Sequence, residues 1–445
     1  MRSPLAAYRG ALAGLDPRVG WVSAAFFVFL GARFSVLTFV SIYFVQERGL
    51  PAAAVGAGFL AENVVRALAA PFAGSLSDRF GRVPLLAASA MGAAVVMPAF
   101  LLISDLASLI AWSLLIGLVQ APFFPVGTAL LLDLVPPDRR RRALALNYSV
   151  VSVGYTVAVA PAGFLAERGF AVLAFASAAL FALTAAIVVL RLRGARGDAP
   201  AHAARGPGLL AHTVLAFRDP PFLVLALFAF VFPLAIGLIS FAVPLYAADG
   251  GAQASEIGLA LAGSGLLIAA FGVPANALLE RRGPLRALPI AAALIAASYV
   301  GLVAAGSSFG ALVLAVIVFT LGEIVFSASL LTAVAALAPP GARGSYQGAW
   351  GMVAALAIGS ALFLAGLGRA SIGWPATWLA FAAFTAAAGT GLLLAGRSLE
   401  RIGKERAALG QRSAGVDDAA SRCLRLPGGD DADDRQVQTL GEAHE

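Results

Sequence analysis

Twelve runs of largely apolar residues, separated by short arginine-bearing segments, constrain this chain more than any other feature of its sequence. They lie at about 21–45, 54–74, 84–103, 107–132, 144–166, 170–191, 221–246, 256–278, 285–305, 309–336, 347–368 and 374–396. A helix of about 20 apolar residues spans the hydrocarbon core of a bilayer. Charged residues are only 12% of the chain, against about 25% in an average soluble domain, too few to cover a water-facing surface. In lipid the same shortage is required, because the outer surface meets hydrocarbon. The abundant Gly and Ala inside the runs suit close approach of membrane helices. The expectation is an all-α membrane protein of twelve transmembrane helices, with the lipid bilayer as its first partner.

The formal net charge of +7 and the pI near 10.1 do not point to nucleic acid, because the basic residues sit between apolar runs rather than on one polar face. One cysteine, Cys423, leaves no internal disulfide and no cysteine-based metal site. His202, His212 and His444 are scattered, so neither a metal nor another cofactor is expected. No phosphate loop, nucleophile elbow or paired-histidine zinc motif occurs, so no catalytic role is expected. The first segment lacks the h-region of a signal peptide before the first long run, which is therefore expected to remain as a helix.

Basic residues orient the runs. With the N-terminus inside, 26 of them fall in cytoplasmic segments and three (Arg48, Arg168 and Arg369) outside, and the ratio is still 18 to three without the tail. Both termini are expected in the cytoplasm of a cell bounded by the plasma (inner) membrane. The longest internal polar segment divides the runs six and six. The expected layout is a cytoplasmic segment at 1–14, a six-helix bundle at 15–192, a linker at 193–219, a second bundle at 220–397 and a disordered tail at 398–445. Leu209–Phe217 could lie as an amphipathic helix at the interface.

The two halves are related. At an offset of 202–203 residues Tyr43 meets Tyr246, Gly56 meets Gly258, Asp78 meets Glu280 and Gly81 meets Gly283. Pro136-Pro137 meets Pro339-Pro340, Arg140 meets Arg343, and Gln120 meets Glu323. Duplicated halves with a midplane site between them are the usual plan of secondary transporters. The stretch Gly74-Ser-Leu-Ser-Asp78-Arg79-Phe-Gly81-Arg82 resembles the loop signature between the second and third helices of the major facilitator superfamily. Leu279-Glu280-Arg281-Arg282-Gly283 resembles its second copy. The resemblance covers roughly 15–400. It implies two pseudo-symmetric bundles that pass a small-molecule solute by alternating access, most like the drug/proton antiporters, with protons as coupling ion. A monomer is expected.

Three groups of residues are candidates. The resemblance implies that Gly74, Asp78, Arg79, Gly81 and Arg82, with Asp133 at the end of the fourth run, form a charge latch that holds one open state; simple retention of the loop inside is the plainer reading. The second group is the charges within the runs, costly at that depth and functional by default. At 1.5 Å per residue, Arg33 and Glu62 each lie about 18 Å from the cytoplasmic end of their helices and so can pair. Arg66 could join them or snorkel. The resemblance puts Arg33, Gln120 and Glu323 on the cavity. Glu323 could carry the coupling proton, or simply pack its helix through hydrogen bonds.

The third group, Gly154, Pro161 and Gly163, resembles the fifth-helix motif of drug exporters, with Ala160 where that motif has Gly; close packing of small residues explains it as well. Tyr43, Trp112, Tyr155, Phe230 and Phe241 could line an aromatic cavity or fill helix interfaces. The expected function is proton-coupled efflux of a small, hydrophobic or cationic organic compound. The alternatives are uptake of a metabolite, such as an anion held by Arg33, and a sensor that transports nothing.

Overall fold

The computed structural model describes residues 16–136, 139–194, 216–279, 284–305, 308–339 and 342–423. Their regular structure is helical throughout. In chain order the helical stretches are α1 (Pro17–Glu47), α2 (Ala52–Phe80), α3 (Arg82–Leu102), α4 (Leu106–Asp133), α5 (Arg140–Glu167) and α6 (Phe170–Arg191). After the linker come α7 (Pro220–Asp249), α8 (Ala254–Leu279), α9 (Pro284–Ala305) and α10 (Phe309–Leu337). A last run, Arg343–Cys423, is interrupted at Gly373, whose φ of 76° and ψ of 167° lie outside the helical region. Its arms are α11 (343–372) and α12 (374–423).

Among the described residues ten stretches are long and apolar enough to cross a membrane. One of the ten is the 63-residue stretch Gly344–Arg406. At 1.5 Å per residue it would measure about 95 Å as a straight rod, some three bilayer cores, so the break at Gly373 makes it two crossings. In α5 the described residues include the apolar stretch Val153–Glu167. Among the described residues, with α5 included and the last stretch divided at Gly373, the long rods are α1 to α12.

Proline and glycine shape the rods. Gly81 sits between α2 and α3 with φ 92°, a conformation that residues with a β-carbon rarely adopt, and it turns the chain sharply at the Asp78–Arg82 loop. α4 is interrupted after Gln120 by Pro122 and Pro125. Gln120 is thereby set at a break about midway along α4. π-Helical turns interrupt α1 at Tyr43–Glu47 and α7 at Leu238–Ala242.

The halves repeat each other in detail. Tyr43 in α1 donates to the Leu101 carbonyl at the end of α3, and Tyr246 in α7 donates to the Leu302 carbonyl near the end of α9, at 3.3 and 2.7 Å. Each tyrosine belongs to a buried aromatic core. Tyr43 meets Phe44, Phe100 and Phe170, with Trp112 against Phe100, while Tyr246 meets Trp374 and Trp378.

One expectation needs correction. Disorder was expected from residue 398, but α12 continues as helix to Cys423. The reason is a local apolar face: Leu399 is buried, Gly403 packs on Ala336, and Arg406 bonds to Asp219. The segment 1–14, most of the linker with all but the last two residues of its amphipathic stretch, residues 280–283 of the signature's second copy and the acidic run near residue 430 lie outside the described residues.

Candidate functional site

The halves meet tightly at one end and part at the other. At the sealed end α2 lies on α11 and α5 on α8. A β-carbon added at Gly56 would collide with the Phe363 backbone, one at Gly366 with the Ala52–Ala53 backbone, and one at Gly163 with the Ala254 backbone. Hydrogen bonds cross the same seam. Ser41 donates to the Phe241 carbonyl at 3.1 Å, Gln46 to Asp249 at 3.2 Å, and the Ser255 amide to Glu167 at 2.7 Å. Toward the arginine-rich end, among the described residues, β-carbons at Gly74, Gly344 and Gly351 would meet nothing within 4 Å.

A cavity of about 620 Å³ fills this gap, walled by α1, α2, α4 and α11. That size suits a drug-sized ligand. Its sides are apolar, with Phe29, Phe123, Phe124 and Met352 among them, and its polar residues are Arg33, Arg66 and Gln120. Arg33 is buried and pairs with buried Glu62 at 2.5 Å. It also donates to the Gln120 side-chain carbonyl. One guanidinium thus joins α1, α2 and α4, and Gly117 lets α4 lie directly on the Glu62 backbone.

Arg66 donates to the Asn63 side-chain carbonyl one turn away. Val64, Leu68, Phe72 and Leu76 form the exposed apolar stripe of α2. Arg66 lies two residues from both Val64 and Leu68, about 200° around the helix from each, so it faces the cavity rather than lipid. The sequence left two readings for Arg66, joining the Arg33–Glu62 pair or snorkelling. Asn63 is a polar partner that the sequence reading passed over, since its only signal was its place one turn before Arg66.

Glu323 lies apart from that cluster. It is half-buried in α10, and among the described residues it makes no ion pair. Tyr155 of α5, packed edge-on against Phe34, stands within reach of Ser240 in α7 and of the charge on Glu323. The Tyr155–Ser240–Glu323 group spans the two halves.

At the arginine-rich end Arg82 pairs with Asp133 at 2.9 Å. The pair is Coulombic without a well-directed hydrogen bond, since the facing nitrogen and oxygen lack hydrogen-bond partners. Asp78 and Arg79 are exposed, and among the described residues Asp78 forms no ion pair. All the described latch residues lie in the first half, where Gly81 holds the turn.

The α5 group is divided between two neighbours. Gly154 lies against Phe27 of α1, and Gly163 against Ala254 of α8 at the seam. Pro161 interrupts the hydrogen-bond ladder between them. Tyr43 and Trp112 fill the aromatic core and Phe241 packs on Phe59, so these three are packing residues. Among the described residues no set of three His, Cys, Asp or Glu side chains could hold a metal ion.

A sequence profile of the Major Facilitator Superfamily matches residues 22–251 and 225–416. The uncharacterized MFS-type transporter YqjV of Bacillus subtilis is 24% identical over 71% of this chain and 77% of its own. Multidrug resistance protein MdtH of Aeromonas hydrophila is 26% identical over 71% and 78%. Among solved structures, the nucleoside transporter NupG superimposes with a TM-score of 0.71 at 14% identity, over 85% of this chain and 99% of its own.

Proposed function

Because the chain belongs to the major facilitator superfamily, we propose that this multi-pass membrane transporter exports small organic compounds in exchange for protons. The observation that carries the reading is the asymmetric seam: glycine-tight packing closes one end over a midplane cavity that is open at the other. In this reading 15–192 rocks against 220–397, and the arginine-rich end faces the cytoplasm by the positive-inside rule. The conformation is then inward-open. The Arg82–Asp133 pair, with Asp78 free to find a partner, serves as a latch for the opposite state.

Two observations support efflux and coupling. Relatives include proteins named for multidrug resistance, MdtH and MdtG. Glu323 is a half-buried carboxyl in α10 with no ion pair among the described residues, the kind of group that binds and releases a proton as its surroundings change. Tyr155 of α5, in the other half, lies within range of its charge, so rocking alters its surroundings.

Proteoliposomes with an acidic interior test the reading, with fluorescent amphiphiles of differing charge as probes. Accumulation driven by the pH gradient is expected, and Glu323→Gln should abolish it while sparing exchange of the same probe down its own gradient. A Glu323→Gln protein that still answers the gradient like wild type removes Glu323 from coupling. Movement in the same direction as the protons identifies uptake instead.

A further inference from the structure

We infer that the cavity between α1, α2, α4 and α11 selects amphipathic organic anions carrying one negative charge, with Arg66 as the residue that recognises it. The inference rests on the transport reading and names the substrate class of that same cavity.

The charges decide it. Two guanidiniums, Arg33 and Arg66, line the cavity, and among the described residues Glu62 is the carboxylate that acts on both. Glu62 is committed, since it lies 2.5 Å from Arg33, which also holds Gln120. Among the described residues Arg66 has only the neutral side-chain carbonyl of Asn63 as a hydrogen-bond partner. A guanidinium cannot shed its proton in a protein, so the cluster keeps one uncompensated positive charge at a depth where unbalanced charge is costly. A negatively charged solute removes that imbalance, whereas a cation adds to it.

The remaining geometry describes the rest of the solute. Arg66 has five N–H donors in a planar fork suited to two oxygens of a carboxylate or sulfonate. The wall beside it is aromatic: Phe29 and Phe123 stack with centroids 3.6 Å apart and planes 3° from parallel, and Phe124 lines the cavity with 59% of its surface exposed. A flat apolar body with one anionic group fits both features. The sequence had suggested a cation, or an anion held by Arg33; the pairing of Arg33 with Glu62 moves that role to Arg66.

The test uses three probes that share one ring system: naphthalene-1-sulfonate, 1-naphthylmethanol and (1-naphthylmethyl)trimethylammonium. Calorimetry on the purified full chain should find the sulfonate binding at least about tenfold more tightly than the alcohol, as expected for a charge-assisted hydrogen bond, with the ammonium weakest. Arg66→Gln should bring the sulfonate down to the alcohol and leave the alcohol within about twofold of wild type. That second result also reports an intact cavity. Arg66→Lys should restore part of the preference. A sulfonate that binds no better than the alcohol, or a preference that survives Arg66→Gln, overturns the inference. Counterflow in proteoliposomes separates the two readings. Flux of the ammonium or alcohol without the sulfonate leaves a transporter but overturns anion selection. Sulfonate binding without flux of any probe leaves the recognition standing and removes the transport reading.

Discussion

The guanidinium of Arg406 and the carboxylate of Asp219, 187 residues apart, form a two-pronged hydrogen bond with both distances at 2.8 Å. Tyr346 donates to the same carboxylate at 2.7 Å, and Arg406 also donates to the Leu337 carbonyl. Asp219 directly precedes α7, Leu337 ends α10 and Tyr346 begins α11. The helical extension beyond the last crossing therefore ties three elements of the second half together at the arginine-rich end.

Breaking this clasp should lower stability. The side chains of Arg406 and Asp219 are 21% and 13% exposed, so solvent weakens the bond without cancelling it. Arg406→Gln should cost about 1.5–2 kcal/mol, the lower part of the range for charge-assisted bonds. Thermal unfolding in detergent measures the loss. A double-mutant cycle with Asp219→Asn should show strong coupling, because each single change removes the same contact. Independent, additive effects would mean that the contact does not stabilise the fold.

Acid should undo the same contribution. Burial pushes the Asp219 carboxyl up, but hydrogen bonds from Arg406 and Tyr346 outweigh it and hold the group below its ordinary value of 3.8. A carboxyl with a depressed folded-state pKa contributes stability in full above its unfolded pKa, and the contribution disappears as pH falls through the folded value. The melting-temperature gap between wild type and Asp219→Asn should therefore stay constant from about pH 7 to pH 5 and close only below about pH 4. A gap that closes by pH 6 would contradict this account.

Residue by residue, sequence made visible what depends on long runs and left out what depends on local meetings. The depth arithmetic that set Arg33 and Glu62 level is matched by their 2.5 Å contact, because a straight helix converts residue number directly into height. Height says nothing of azimuth. The resemblance puts Gln120 on the cavity without assigning it a partner, and its bond to Arg33 depends on how α1 and α4 are turned toward each other. The extension past residue 398 looked polar in bulk, yet Leu399, Gly403 and Arg406, spaced four and three apart, share one helix face. That periodic signal was present, and average composition obscured it. Asp219 offered a similar clue as the acidic residue immediately before a Pro-Pro helix start.

Glycine at the seam gives a conformational prediction. A β-carbon at Gly366 would collide with the Ala52–Ala53 backbone, and backbone cannot yield as a flexible side chain can. Gly366→Val should therefore keep α2 and α11 from closing at the sealed end. The expected result is at least a tenfold loss of transport, since alternating access needs both closures, with melting temperature changed little. A cysteine at Ser41, placed in a Cys423→Ser background, reports the opening. Ser41 is buried against the Phe241 carbonyl, so the cysteine should resist membrane-impermeant thiol reagents in the parent and react in the Gly366→Val protein. Equal labelling of the two would show that the seam still closes.

The pair at the centre should be sensitive to loss of one partner and tolerant of losing both. Arg33 and Glu62 have side chains only 6% and 2% exposed, so neither can recover its lost contact from bulk water. Glu62→Gln leaves the guanidinium with the Gln120 carbonyl and no negative charge, a change expected to cost about 3–5 kcal/mol when one member of a buried pair is removed. Combining Arg33→Leu with Glu62→Gln removes the stranded charge, and much of the loss should return, because apolar replacements of buried pairs are often neutral. Thermal unfolding of the four proteins in detergent supplies the comparison. Charge bookkeeping in the cavity adds a second readout. Glu62→Gln raises the net charge of the Arg33–Arg66–Glu62 cluster by one unit, so binding of an anionic probe should tighten even as the protein becomes less stable. Weaker anion binding together with lower stability would instead mean that Glu62 holds Arg66 in position, and that the geometry around Arg66 outweighs the charge.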